Sequence, residues 1–151
     1  MVSVASPAEI PDVVALYEAC NYHAAVGIAD TTLICRAERQ VVAAVRLVRE
    51  EGVIVLRGMQ VLRSHQRQGI GAALLRACIP IIEERTTYCL PYAHLVPFYR
   101  SASFRPVDES VLLSFLAARL SGYVARGQDV LAMVRDRVAR AGSVAVHEAR
   151  Q

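Results

Sequence analysis

The stretch from Val61 to Leu75 restricts the fold of this chain more than any other segment. It has the pattern of a strand end, a polar loop, a turn with glycines at Gly69 and Gly71, and an apolar helix. Glycine has no Cβ, so the backbone can bend sharply there and several N–H groups can point to one place. The first turn of the following helix adds unpaired N–H donors and partial positive charge. The stretch therefore predicts a binding site for a phosphate or pyrophosphate group.

Two common phosphate-binding motifs do not fit this turn. A dinucleotide fingerprint has a small residue three positions after the second glycine, where this chain has Leu74. A Walker-type loop requires a lysine directly after its last glycine, and this sequence contains no lysine at all. The turn therefore indicates a phosphate ligand of another class.

The hexapeptide from Gln66 to Gly71, QRQGIG, resembles the acyl-CoA pyrophosphate loop of GNAT-type N-acetyltransferases, Q/R-x-x-G-x-G/A. A second segment, FYRSASF from Phe98 to Phe104, resembles the F-Y-x-x-x-G-F signature of the same family. Ser103 departs from this pattern, since glycine is usual there. Tyr92 is a second departure, because an asparagine often contacts the cofactor at the matching position.

The resemblance implies direct transfer of an acetyl group from acetyl-CoA to a primary amine, without an acyl-enzyme and without a metal. It implies that Met59, Gln60 and Val61 lie along the pantetheine arm of the cofactor. The residues matching the pyrophosphate loop are Arg67, Gln68, Gly69, Ile70, Gly71 and Ala72. Tyr99 matches the general acid, because a phenol with a usual pKa of about 10 stays protonated at neutral pH and can protonate a departing thiolate.

The general base and the acceptor stay open at this point. Five side chains are alternatives for the base: His23, Asp30, Glu38, His94 and Glu109. The acceptor amine can belong to a small molecule, a protein or peptide N-terminus, or a lysine. A non-catalytic acyl-CoA sensor or scaffold, and a toxin-type acetyltransferase acting on aminoacyl-tRNA, are the alternative functions. The formal net charge of only +3 argues against a nucleic-acid partner.

Alternating apolar patterns predict strands at 31–38, 40–49 and 53–61, joined by tight turns into an antiparallel meander. A strand at 86–90 follows the helix after the glycine turn, and a helix crossover makes it parallel to strand 53–61. The buried face of that helix is predicted to comprise Ile70, Ala73, Leu74, Ala77, Cys78, Ile81 and Ile82. With the resemblance, this gives an α/β (α+β) fold: a mainly antiparallel mixed sheet, a central parallel pair splayed around acyl-CoA, and helices on both faces.

The length of 151 residues is typical of one domain, which we expect to span residues 1–140, with a flexible tail at 141–151. Helical spacing predicts an inserted helix within 108–127, acting either as a packing element or as a lid over the acceptor site. A strand at 129–135 then resembles the closing strand of the family. A homodimer is left open.

The sequence also gives an expectation for the cellular compartment. No apolar run approaches the roughly 18 residues of a membrane span, and the N-terminus lacks the pattern of a signal peptide. The four cysteines, Cys20, Cys35, Cys78 and Cys89, are widely spaced and include no C-x-x-C pair. We therefore expect buried free thiols in a reducing cytoplasm, with no membrane partner.

Overall fold

The computed structural model describes residues 1–138, which contain one sheet of seven strands. In chain order the strands are β1 (Val2–Val4), β2 (Thr31–Ala37), β3 (Gln40–Glu50), β4 (Val53–Val61), β5 (Thr87–Cys89), β6 (Arg105–Pro106) and β7 (Met133–Arg135). Their order across the sheet is β1-β2-β3-β4-β5-β7-β6. The expected end of the domain at residue 140 and the expected tail at 141–151 lie outside the described residues.

Within residues 1–138 four α-helices accompany the sheet: α1 (Ile10–Ala19), α2 (Ile70–Ile82), α3 (Val96–Arg100) and α4 (Ser114–Ala125). Short 3-10 turns precede them at Pro7–Glu9, Arg63–His65, Ala93–Leu95 and Glu109–Val111. A capping box lies at the start of the chain, where the backbone N–H of Ser6 donates to Glu9 Oε1 at 3.0 Å. None of the helices found in residues 1–138 could span a lipid bilayer.

The strand pairing confirms the predicted fold class. β2, β3 and β4 form the antiparallel meander, and β4 pairs with β5 in parallel through the α2 crossover. β7 then pairs antiparallel with both β5 and β6. The predicted strands at 86–90 and 129–135 are shorter in the structure, because β5 and β7 pair over only three residues each.

Helices cover both faces of the sheet, as predicted. On one face, Leu33 and Cys35 of β2 belong to a core that also contains Leu74 and Leu75 of α2. On the other face, Ile34 packs in a second core with residues of α1. Successive strand residues point to opposite faces, so a single apolar strand serves both cores.

The predicted buried face of α2 is correct at Leu74, Cys78 and Ile82 but wrong at Ile81. Ile81 is 42% exposed, whereas Leu75, outside the predicted stripe, is buried. The buried arc of α2 is turned toward Leu75 and away from Ile81, because the arc that a helix buries depends on what packs against it. Three of the four cysteines are buried and all four are free, as expected.

The inserted helix is shorter than the spacing predicts. Asp108 caps a separate 3-10 turn by accepting from the backbone N–H of Ser110 at 2.8 Å, so α4 begins only at Ser114. α4 buries Leu116 and Leu120. These contacts make α4 a packed part of the domain.

Candidate active site

β4 and β5 pair at only two positions and then separate. Ile54 faces Thr87 and Val55 faces Tyr88, whereas the rest of β4, from Leu56 onward, has no pairing with β5. A strand that loses its neighbour presents free backbone donors and acceptors along that edge. The second half of β4 is therefore open to a ligand that runs alongside it.

A β-bulge interrupts the open half of β4. The register passes from Ala44–Gln60 to Arg46–Arg57, so Gly58 and Met59 of β4 stand opposite the single residue Val45 of β3. Gly58 has a φ of +66°, which glycine adopts without strain. The bulge takes backbone groups out of the β3–β4 ladder at the place where the sequence predicts the pantetheine contact.

The glycine turn follows β4 directly. Gly69 has a φ of +80° at the N-cap of α2, and Arg67 has a φ of +63° in the loop before it. The side-chain amide of Gln66 donates to the carbonyl of Val61 at 3.1 Å and closes the loop onto the end of β4. The turn therefore has a defined shape, held by local contacts.

Six consecutive backbone N–H groups in this turn have no acceptor within residues 1–138. They belong to Arg67, Gln68, Gly69, Ile70, Gly71 and Ala72, the six residues that the sequence predicts for the pyrophosphate loop. The first bond of α2 begins one residue later, where Ala73 N donates to Gly69 O at 3.0 Å. Unpaired N–H groups of this kind at a helix N-terminus form an anion site.

Gly71 brings three elements together. A Cβ built on Gly71 would lie 3.7 Å from Phe98 Cζ of α3 and 3.8 Å from Val61 Cγ2 of β4. Position 71 therefore faces α3 and β4, and a side chain there meets protein atoms. Gly69 differs, because a Cβ built there meets no atom within 4 Å.

Tyr99, the predicted general acid, is deeply buried at 4% exposure. Its ring makes edge-to-face contacts with Phe98 and Phe104, and burial raises the pKa of its phenol far above the usual value. Within residues 1–138 its hydroxyl has no hydrogen-bond partner. Phe98, its neighbour in the chain, is only half-buried.

The two departures from the family pattern have different outcomes. Ser103 adopts a φ of +68° and thereby makes the left-handed turn that glycine would make. Tyr92 is half exposed and stacks on the imidazole of His94, with 5.9 Å between the ring centroids. Its backbone bridges to Val130.

Comparison with protein-family models matches residues 29–106 to the acetyltransferase (GNAT) domain. The match covers more than half of the chain and includes β4, the glycine turn and Tyr99. The chain belongs to the GNAT acetyltransferase family.

Solved structures with the same fold are distant in sequence from this GNAT domain. N-acetylglutamate synthase from Neisseria gonorrhoeae, complexed with coenzyme A and N-acetyl-glutamate, has a TM-score of 0.68 at 19% identity. The match covers 93% of this chain but 36% of that one, so this chain spans about a third of the synthase.

Two further structures match over nearly their whole length. The ribosomal-protein-S18-alanine N-acetyltransferase from Escherichia coli has a TM-score of 0.69 at 16% identity, covering 93% of this chain and 96% of that chain. Rv2747 from Mycobacterium tuberculosis, in complex with coenzyme A, has a TM-score of 0.70 at 13% identity, covering 91% and 99%. No curated protein matches this chain in sequence.

The two histidines among the alternatives for the base lie at the surface of this GNAT domain. His23 is exposed and its Nε2 lies 3.1 Å from Asn21 Oδ1. His94 is also exposed, stacked on Tyr92. Neither ring is enclosed with Tyr99.

The three carboxylates lie in different places. Glu38 lines a groove of about 420 Å³ between α1 and the β2–β3 turn, separate from the glycine turn. Glu109 accepts from Ser121 Oγ at 3.1 Å at the surface. Asp30 is the most buried of the three, and it forms a 3.0 Å ion pair with Arg46.

Sequence reasoning missed Tyr17, Arg46 and Gly58, which meet at the bulge. The sequence contained a signal for Gly58, because a glycine inside an apolar strand indicates a bulge or a close backbone approach. Arg46 likewise interrupts the apolar run VVAAVRLV of β3. A charged residue at such a position is buried only when it has partners.

Proposed function

We propose that this GNAT domain transfers an acetyl group from acetyl-CoA directly to the nitrogen of a primary amine, with Tyr99 as the general acid. One observation carries the proposal: six unpaired backbone N–H groups lie between the open edge of β4 and the first bonded turn of α2. This arrangement fits a long ligand with a phosphate group at one end.

The turn suits a pyrophosphate in charge as well as in geometry. The stretch from Arg63 to Arg76 contains three arginines and no acidic residue. Backbone donors and the N-terminus of α2 add partial positive charge. Phosphate would therefore be held by the backbone of residues 67–72, with the arginines adding attraction.

The open edge of β4 suits the pantetheine arm, whose amides can pair with a strand edge as another strand would. We assign this contact to Met59, Gln60 and Val61. The bulge at Gly58 lies beside them, and a backbone N–H released from the ladder can stabilise negative charge that develops on a carbonyl oxygen. Two of the structural neighbours hold coenzyme A in their crystals, which supports the choice of cofactor.

Tyr99 suits the role of proton donor because its phenol is protonated and unpartnered. A buried tyrosine hydroxyl usually has a hydrogen-bond partner, so an unpaired one is available to a ligand. When the neutral amine nitrogen bonds to the carbonyl carbon and the carbon–sulfur bond breaks, the phenol proton goes to the sulfur, and the proton that the nitrogen loses returns through water to the phenolate. The thiol pKa of about 8.5 lies below that of the phenol, so the phenol does not fully protonate a thiolate that has already left. The proton must therefore be transferred while the carbon–sulfur bond breaks, which requires the phenol hydroxyl to lie next to the sulfur.

Cysteine 89 is a poor candidate for an acyl-enzyme. It is buried, and burial raises the pKa of its thiol far above the usual value, so that the thiolate nucleophile is scarce. This supports direct transfer. The four free cysteines support a reducing compartment, and we assign the reaction to the cytoplasm.

The substitution Ala72→Pro tests the phosphate site. Proline removes one of the six free N–H groups in the first helical turn, where α2 does not use that group itself. We expect the melting-temperature shift caused by acetyl-CoA to fall strongly, while the protein stays folded. Ala72→Val is the matched control, because it adds similar bulk and keeps the N–H.

Acetyl-CoA at a hundred times its dissociation constant should stabilise the wild-type fold by about 2.7 kcal/mol. NAD and ATP should have little effect. An absent response to acetyl-CoA in cofactor-free protein would disprove the proposal. CoA release with an amine separates an acetyltransferase from a non-catalytic acyl-CoA sensor.

A further inference from the structure

Arg46 is a buried cation with three of its five N–H donors unused. It is 2% exposed. Its Nη1 donates to the carbonyl of Ala25 at 2.9 Å and to Asp30 Oδ2 at 3.0 Å. Its Nε and Nη2 are both buried and have no acceptor within the part of the chain that the structure describes. An unmatched buried donor is costly, and such a group in a native fold indicates a ligand or ordered water.

The two unpaired nitrogens form one edge of the guanidinium, which matches a carboxylate. The same edge of Arg105 in this chain donates to Asp136, with Nε–Oδ2 at 3.1 Å and Nη2–Oδ1 at 3.3 Å. The fork geometry of arginine makes this two-point contact specific for planar anions.

Asp30 does not prevent a second carboxylate from binding Arg46. Arg36 of this chain contacts Glu9 at 2.8 Å and Asp12 at 3.0 Å through the same nitrogen. One guanidinium can therefore hold two carboxylates. In Arg46 the first carboxylate occupies the Nη1 side and leaves the buried Nε–Nη2 edge unpaired.

The unpaired edge lies beside the proposed site of transfer. Nε of Arg46 is 3.3 Å from the position of a Cβ on Gly58, in the bulge next to Met59. The loop between α1 and β2 covers the guanidinium through Ala25 and Asp30. This loop, residues 22–30, has no helix or strand, so Arg46 is one of the side chains that hold it to the sheet.

We propose that the acceptor is a small amine that also carries a carboxylate, such as a free amino acid, and that the Nε–Nη2 edge of Arg46 binds this carboxylate. The inference rests on the proposed acetyl transfer and names its substrate class. The enclosure of the edge favours a small acceptor, because a large one would not reach atoms beneath the loop. Binding requires the loop over Arg46 to shift.

Matched substrates test the inference on the wild-type protein. CoA release is measured with the common free amino acids and with their C-terminal amides, which lack the α-carboxylate. Asparagine and glutamine are compared with aspartate and glutamate, because they lack the side-chain carboxylate. We expect kcat/KM for the best acid to exceed that for its amide by about tenfold or more, the usual effect of a charged hydrogen-bonding pair. Spermidine and kanamycin serve as amines without a carboxylate.

Two variants assign the preference to Arg46. Arg46→Lys keeps the charge but loses the two-point edge, so it should raise KM for the acid by about tenfold and reduce the preference over the amide. Arg57→Lys is the control, since Arg57 faces Arg46 across β3 and β4 and is partly exposed. It should leave the preference intact.

Equal use of acids and amides, faster turnover of carboxylate-free amines, or an unchanged preference in a folded Arg46→Lys variant would each overturn the inference. An ordered water on Arg46 would give the first of these results. If Arg46→Lys does not fold, the wild-type comparison decides. The melting-temperature shift with acetyl-CoA separates the inference about the acceptor from the proposed acetyl transfer. If acetyl-CoA raises the melting temperature, a negative substrate result overturns the acceptor alone. If it does not, the acetyl transfer itself is disproved.

Discussion

The hydroxyl of Tyr17 donates a 2.8 Å hydrogen bond to the backbone carbonyl of Gly58. It joins α1 to the bulge of β4 across 41 residues of sequence. The guanidinium carbon of Arg46 lies 5.8 Å from the centre of the same tyrosine ring. The bulge is therefore held in place from the α1 face, while its other side borders the open edge of β4.

Gly58→Ala tests how tightly this contact holds the bulge. A Cβ at Gly58 would overlap the Tyr17 hydroxyl, and the φ of +66° disfavours any other residue. We expect the free energy of unfolding in urea to fall by about 2–5 kcal/mol. Gly52→Ala is the control, with a φ of +85° and no atom within 4 Å, and should lose only about 1–2 kcal/mol. Equal losses would mean that the Tyr17 contact adds nothing.

Gly71 tolerates a methyl group but not a branched side chain. The Cβ of Gly71→Ala would make ordinary contacts with Phe98 and Val61. Alanine also favours the helix, so unfolding in urea should show a gain of up to about 1 kcal/mol with acetyl-CoA binding retained. Gly71→Val places further methyl groups among those neighbours and should lose about 1–3 kcal/mol and bind more weakly. A destabilised alanine variant would contradict this geometry.

Tyr99→Phe separates catalysis from packing. The hydroxyl has no partner within residues 1–138, so its removal should leave the free energy of unfolding and acetyl-CoA affinity nearly unchanged. The value of kcat should fall by about 10²-fold or more if the phenol is the general acid. Tyr17→Phe is a structural comparison, since it loses the bond to Gly58 and about 1 kcal/mol of stability. An unchanged kcat in Tyr99→Phe would assign the proton to another group.

The attachment of α4 should depend on pH. Arg119 donates to both oxygens of Glu50, at 2.7 and 3.0 Å, and this hydrogen bonding lowers the pKa of Glu50 below its usual 4.5. A lowered folded pKa stabilises the fold above the unfolded pKa, and this contribution is lost as the pH falls through the folded pKa. Arg119→Met should therefore cost about 1–2 kcal/mol at pH 7 and progressively less below pH about 4.5.

The exposed pair of Arg105 and Asp136 provides the comparison for this measurement. Both side chains are mostly in solvent, so Arg105→Met should leave the unfolding free energy nearly unchanged at pH 7. Equal effects of the two arginine substitutions, or an Arg119 effect that persists in acid, would contradict the assigned role of Glu50.

The sequence predicted best those parts of the fold that depend on residues adjacent in the chain. The meander of β2, β3 and β4 and the glycine turn follow from alternation and from glycine at particular positions, both of which act within a few residues. The six unpaired N–H groups lie at the six residues named from the motif. The serine at position 103 shows the limit, since it takes a left-handed turn that its residue type does not favour.

Features that depend on distant contacts were decided by the tertiary structure. Ile81 is exposed although it continues the apolar pattern of α2, because the arc that a helix buries depends on what packs against it. Tyr99, and not Phe98, lies in the core, and periodicity over one short helix could not separate two adjacent aromatic residues.

Local sequence patterns could not predict the contacts among Tyr17, Arg46 and Gly58 either. By itself the sequence determined that a strand leads into a glycine turn with free N–H donors, since backbone conformation and helix-end donors are properties of neighbouring residues. Only the tertiary structure decided that β4 separates from β5 after two paired positions, and that Arg46, with two unpaired nitrogens, lies beside the bulge. These depend on packing between segments far apart in the chain, where the burial of each group is set by all its neighbours together.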